Sequence, residues 1–138
     1  MINSSDILGA KILIVDDQKA NVLLLERMLR DASYACIAST MDPLEVCALH
    51  RKNRYDLILL DLHLPDLSGI QVLNRLKSDA RTASIPVVVL TADALPGTEA
   101  QVREAGAVGC LSKPVDVPKF LDTITLVLEE SKEKRVTQ

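Results

Sequence analysis

Aromatic side chains are nearly missing from this chain: Tyr34, Tyr55 and Phe120 are the whole complement, and tryptophan is absent. Any core it builds must therefore be aliphatic. An excess of basic residues is missing too. Sixteen Lys and Arg against nineteen Asp and Glu give a formal charge of −3 and a pI near 5.3. That balance argues against a general binder of phosphate backbones, so no direct nucleic-acid partner is expected. The three cysteines, Cys36, Cys47 and Cys110, are odd in number, widely spaced and without a C-x-x-C pair. They read as reduced thiols rather than as a zinc, redox or disulfide framework. Uninterrupted aliphatic stretches such as Ile12 to Val15 reach only four residues, against the roughly 20 that span a bilayer. The start, MINSSDILGA, lacks the basic region and long apolar stretch of a signal peptide. A cytoplasmic protein with no membrane insertion is expected.

What remains is enough for one globular domain. The chain has 138 residues, 48% of them hydrophobic and 25% charged, within the range of a single folded unit. One folded unit at residues 10–130 is expected, the extent of the resemblance described below, with a flexible stretch at 1–9 and a polar tail or linker start at 131–138. Inside it, short aliphatic runs alternate with helical periodicity, the signature of an α/β fold. Strands are predicted at Ile12 to Val15, Tyr34 to Ser39, Leu57 to Leu60, Val87 to Leu90 and Gly109 to Ser112. Helices are predicted from Lys19 to about Asp31, from Pro43 behind an Asp42 cap with an apolar face at Leu44, Cys47 and Ala48, and through Ile70, Leu73 and Leu76. Two more follow, a weaker one from Pro96 that Gly106 ends, and one after Asp116 whose apolar positions run from Val117 to Leu128. Five strands and five helices in strict alternation make a doubly wound parallel sheet.

In such folds the reactive side chains lie just beyond the carboxyl ends of the strands. Those positions hold Asp16 and Asp17 after the first strand, Asp61 after the third, Thr91 after the fourth and Lys113 after the fifth. Each has an ordinary alternative, an acidic residue there being a common cap for the next helix. Together they make a site, because three neighbouring carboxylates repel one another unless a cation neutralises them. Hard oxygen ligands with no His or Cys side chain among them suit Mg²⁺, which implies a phosphate. A carboxylate beside that metal can attack a phosphoryl group, with the Lys and the hydroxyl on the equatorial oxygens. No Gly-rich phosphate loop follows the first strand, so the phosphoryl donor must be another molecule.

The runs KILIVDDQKAN, YDLILLDLHLPDLSG, VVVLTADA and GAVGCLSKP resemble the receiver domain of two-component response regulators, of the chemotaxis-regulator kind, over about residues 10 to 130. The resemblance implies a flavodoxin-like fold with Asp61 as phosphoacceptor. It implies Mg²⁺ on Asp17, Asp61 and the backbone carbonyl of His63, with Asp16 helping through water. It also implies that Thr91 contacts the phosphoryl group, that Lys113 pairs with Asp61 or its phosphate, and that the Lys113–Pro114 peptide is cis. His63 and Asp93 stand at positions that tune the lifetime of the phosphate in the family, and Asp66 reads as a turn residue. The implied partners are a sensor histidine kinase or histidine phosphotransfer protein, and an effector domain or downstream protein. A phosphorylation-dependent homodimer is a further expectation.

One departure stands out. Many receivers carry Tyr or Phe three residues before the lysine, a ring that turns inward when the Thr hydroxyl moves. Here the position is Cys110, so phosphorylation chemistry is expected intact and the output relay altered. Beyond autophosphorylation and autodephosphorylation no enzymatic turnover is expected. Two rival readings are a receiver-like module never phosphorylated and a Mg²⁺-dependent phosphohydrolase with an Asp nucleophile. The second places another Asp two positions after the nucleophile, where this chain has His63. The sequence fits either a stand-alone receiver or one belonging to a longer regulator.

Overall fold

The computed structural model describes residues 7–62, 68–80, 82–92 and 96–137. His63, Asp66 and Asp93, three residues singled out above, lie outside the described residues. The strands are β1 (Lys11–Val15), β2 (Cys36–Thr40), β3 (Leu57–Asp61), β4 (Val87–Thr91) and β5 (Gly109–Ser112). The helices are α1 (Lys19–Asp31), α2 (Val46–Asn53), α3 (Gly69–Ser78), α4 (Pro96–Glu104) and α5 (Val117–Thr137). All strand pairs are parallel, in the order β2-β1-β3-β4-β5. The order reverses at β1, between β2 and β3, which is where a doubly wound sheet opens its crevice.

The three central strands are aliphatic runs because both of their faces are covered. Every residue of β3 and β4 is buried, as are the last four of β1. Alternation along each strand divides them between two cores. Ile12, Ile14, Leu57, Leu59, Val88 and Leu90 meet α1 and α5, where Phe120 fills the centre. Leu13, Val15, Ile58, Leu60, Val87 and Val89 meet α2, α3 and α4. Both tyrosines are buried near the amino ends of strands. The hydroxyls of Tyr34 and Thr125 are 3.2 Å apart, and the Tyr55 hydroxyl accepts from Asn53 Nδ2 at 3.1 Å. The three cysteines are free.

Several elements differ from expectation, each for a local reason. Strand β2 starts at Cys36 rather than Tyr34, because Tyr34 N–H still closes the end of α1 by donating to Leu29 O. Asp42 does cap, accepting from Leu44 N–H at 2.9 Å, but it opens a 3₁₀ turn over Pro43–Glu45 ahead of α2. Three residues per turn instead of 3.6 shift the phase of the face. Pro43, Val46 and His50 are therefore the buried residues, while Leu44 is 58% exposed and Ala48 is exposed. Ile7 is buried in the α1/α5 core, and α5 runs through Thr137. The polar stretch after Glu130 is rich in Glu, Lys and Arg, which are good helix formers.

Candidate functional site

Register brings the strand ends to one edge. Asp61 is paired with Leu90 across β3 and β4, and Thr91 with Ser112 across β4 and β5. Beyond the strands, Asp16 N–H donates to Thr40 O, Leu62 N–H to Leu90 O and Lys113 N–H to Thr91 O. The backbone at each strand end is thus tied to its neighbour before any side chain is considered. The Lys113–Pro114 peptide is cis.

Asp16, Asp17 and Asp61 each offer one carboxylate oxygen in a group whose members lie within 4.8 Å of one another. Asp16 and Asp61 are buried, and Asp17 is exposed. Lys113 Nζ lies 3.2 Å from Asp61 Oδ1 and 3.3 Å from Asp16 Oδ2. The one ammonium thus reaches both buried carboxylates. Asp16 also performs the ordinary capping task, its Oδ1 accepting from Gln18 N–H at 2.9 Å. Thr91, fully buried, stands at the end of the neighbouring strand. The backbone carbonyl of His63 and the side chain of Asp93 fall outside the described residues, so the cluster rests on the other five positions.

The charges decide what this pocket suits. Three carboxylates held by one ammonium leave about −2 on closely spaced oxygens, and two of the three carboxylates have little water to screen them. A small hard dication fits that donor set, with coordination positions left for water or phosphate oxygens.

Two positioning features were missed in the sequence. Ser68 and Gln71 form a capping box at the start of α3, Ser68 Oγ accepting from Gln71 N–H and Gln71 Oε1 from Ser68 N–H. The spacing S-x-x-Q was a readable signal for it. Gly69 follows, its N–H donating to Leu62 O at 2.8 Å. A Cβ at that position would stand 2.7 Å from Leu62 Cα and 2.8 Å from Asp61 O. The glycine lets α3 begin directly against the backbone that carries Asp61.

Burial also shifts acidities away from the carboxylates. Burial pushes the His50 imidazole below its ordinary pKa, with the Arg54 guanidinium adding to the effect. Burial raises the thiol pKa of Cys110, which packs partly buried against the α2, α3 and α4 side of the sheet.

This sheet order, with an acidic cluster at the switch point and a lysine just ahead of a cis proline, defines a class, the receiver of two-component signalling. The family model described as response regulator receiver domain matches residues 12–125, and the chain belongs to that family. It is 38% identical over 120 residues to the polar-differentiation response regulator DivK of Brucella anthropi, covering 87% of this chain and 97% of that protein. Among solved structures, the chemotaxis protein CheY4 of Vibrio cholerae superposes with a TM-score of 0.79 at 28% identity, over 86% of this chain and 98% of that one. The receiver domain of a sensor histidine kinase from Pseudomonas aeruginosa, solved with a magnesium ion coordinated in its active-site cleft, gives 0.79 at 28% identity over 88% and 98%. No helix among the described residues is long and apolar enough to cross a membrane.

Proposed function

We propose that Asp61 accepts a phosphoryl group from a phosphohistidine on a sensor kinase or phosphotransfer protein. The observation that carries this reading is the placement of Lys113 Nζ, 3.2 Å from an oxygen of Asp61 at the centre of the acidic cluster. One Asp61 oxygen attacks phosphorus and the P–N bond breaks. Its electron pair returns to the imidazole nitrogen of the donor, which takes up a proton. Lys113 stays beside the new acyl phosphate to offset its charge, and the Thr91 hydroxyl donates to a phosphoryl oxygen. Asp17 and Asp61 would hold Mg²⁺, with Asp16 helping through water, and the ion would supply further neutralisation of the phosphoryl oxygens. Water later cleaves the acyl phosphate, returning the carboxylate and inorganic phosphate.

The modification exchanges a carboxylate of one negative charge for an acyl phosphate of about two at the edge of a rigid sheet, and so biases a two-state surface. The output is contact with another protein, and the partners on the input side are histidine-phosphorylated. A cytoplasmic setting follows from these partners. The test is incubation with a small phosphodonor and Mg²⁺, followed by intact mass. The wild-type chain should gain one phosphoryl group and Asp61→Asn none. A gain that persists in Asp61→Asn, or none in either protein, would overturn the assignment.

A further inference from the structure

The two edges of the sheet are not alike. Beside β5 the charged side chains of Glu99, Arg103 and Lys119 border the outer groove. Along β2 the chain itself offers nothing of the kind: from Ala32 to Met41 run ten residues without a charge, a proline or a glycine. Edge strands are ordinarily blunted by lysine, proline, a bulge or a covering element, because their free backbone groups recruit another strand. Strand β2 keeps unbroken register with β1 over its five residues, and no strand lies beyond it among the described residues.

The backbone shows which groups are on offer. Thr40 O accepts from Asp16 N–H, so Thr40, and Ala38 and Cys36 in phase with it, turn their backbone groups toward β1. Ile37 and Ser39, in the opposite phase, turn N–H and C=O to the open side. Exposed apolar side chains border the same edge. Met41 and Leu44, just past the strand, are both more than half exposed, and so is Leu23 of α1. Leu24 lines the gap to Pro114 and Val115 on the α5 side. With Val22, Leu25 and Leu29 turned to the sheet, Leu23 falls on the opposite flank, toward β2.

Charge on the α2 side differs from one end of the strand to the other. Glu45 Oε2 accepts from Thr40 Oγ1 at 2.9 Å, which sets it beside the carboxyl end of β2. Helix α2 then runs back toward the start of β3. Lys52, seven residues after Glu45 and on the same stripe, lies at the other end, while Arg51 turns away to pair with Asp79.

We propose that the β2 edge pairs with the β2 edge of a second copy, antiparallel about a two-fold axis at Ala38, joining two five-stranded sheets into one. Ile37 of each copy exchanges both backbone bonds with Ser39 of the other. Ala38 meets its own counterpart in the intervening non-hydrogen-bonded pair, with Cα atoms about 4.5 Å apart. A second copy suits this edge because an uncharged strand meets itself without repulsion, and because the antiparallel sense sets Glu45 of each copy toward Lys52 of the other. Asp61 lies on β3, two strands in from the joined edge, so the pairing stands apart from the phosphoacceptor reading.

Sedimentation velocity on the full chain over rising concentration, without phosphodonor, is the test. Wild type should pass reversibly from monomer to a weak dimer, since one strand edge with a narrow apolar border is a small interface. Ser39→Pro removes an outward N–H that the monomer does not use, so it should keep the wild-type circular dichroism and remain monomeric. Ser39→Ala should dimerise like wild type. Lys52→Glu should weaken the dimer about tenfold, and adding Glu45→Lys to it should restore the affinity. Copper-phenanthroline oxidation of Ala38→Cys in a Cys36→Ser background should link two chains, the Cα separation of about 4.5 Å lying within disulfide range, and Cys36→Ser alone should link none. A wild type that stays monomeric, a folded Ser39→Pro that dimerises, a charge swap that restores nothing, or an Ala38→Cys that fails to cross-link would overturn the proposal. Should Ser39→Pro fail to fold, the charge swap and the cross-link decide it.

Discussion

Lys113 reaches back 97 positions along the chain to Asp16, its Nζ 3.3 Å from Oδ2. The same ammonium touches Asp61, so one lysine on the loop after β5 holds the carboxylates of β1 and β3. A dication bound there would draw on those same oxygens, so Lys113 and the metal would share the task of neutralising the edge, and either should matter more when the other is missing.

Lys113→Met should accordingly lower the melting temperature in the absence of metal. Losing one partner of a buried pair costs about 3 to 5 kcal/mol. Because the lysine is 22% exposed, screening reduces this to roughly 1 to 3 kcal/mol. Mg²⁺ should then raise the melting temperature of the variant by more than that of wild type. Equal responses in a calorimetric titration would show that Lys113 does not share charge with the metal.

Gly69→Ala tests the contact between α3 and the backbone of Asp61. The methyl would fall 2.7 Å from Leu62 Cα and 2.8 Å from Asp61 O, so backbone must move. A loss of roughly 1 to 3 kcal/mol is expected, together with slower phosphorylation by a small phosphodonor at saturating Mg²⁺. Wild-type rates in a protein that is merely less stable would separate folding from positioning.

His50 should make stability depend on pH. Its Nδ1 accepts from Tyr55 N–H at 3.1 Å, which requires the neutral ring with its proton on Nε2. Burial first, and Arg54 second, hold the folded pKa below the ordinary value. The unfolded chain, with a His pKa near 6.5, binds the proton more readily. This stability contribution is thus present above about pH 6.5 and is lost as pH falls below it. In urea denaturation at pH 7 and pH 5, His50→Gln should lose less stability than wild type over that interval.

Arg54→Gly should stabilise the protein. Arg54 ends α2 at φ 56° and ψ 73°, its N–H bonded to His50 O. Glycine takes this left-handed cap without a Cβ penalty, and a gain of about 0.5 to 1 kcal/mol is expected. A fall in melting temperature would mean that the arginine side chain contributes more than the backbone costs.

The strands were legible because a parallel strand covered on both faces has to be a short aliphatic run, and VVVL and LILL can be little else. The polar residues of the site were legible for a related reason, since any carboxylate, hydroxyl or ammonium that ends such a run must emerge at the same edge. Contacts set by three-dimensional phase were not. The 3₁₀ turn before α2 turned Leu44 outward and His50 inward, and no periodicity of 3.6 could reveal that. The bridge from Lys113 to Asp16 joins residues 97 positions apart in the sequence and depends on the direction of a long side chain.

The placement of the two tyrosines has a photophysical consequence. With no tryptophan, the near-ultraviolet emission of the chain comes from Tyr34 and Tyr55, buried just ahead of β2 and β3. Tyr55 precedes Asp61 by six residues, roughly 20 Å of extended strand. The molecule is luminous at one pole and dark at the pole where its carboxylates gather. Any change in its intrinsic emission when the dark pole is occupied would mean that a disturbance had travelled the length of β3.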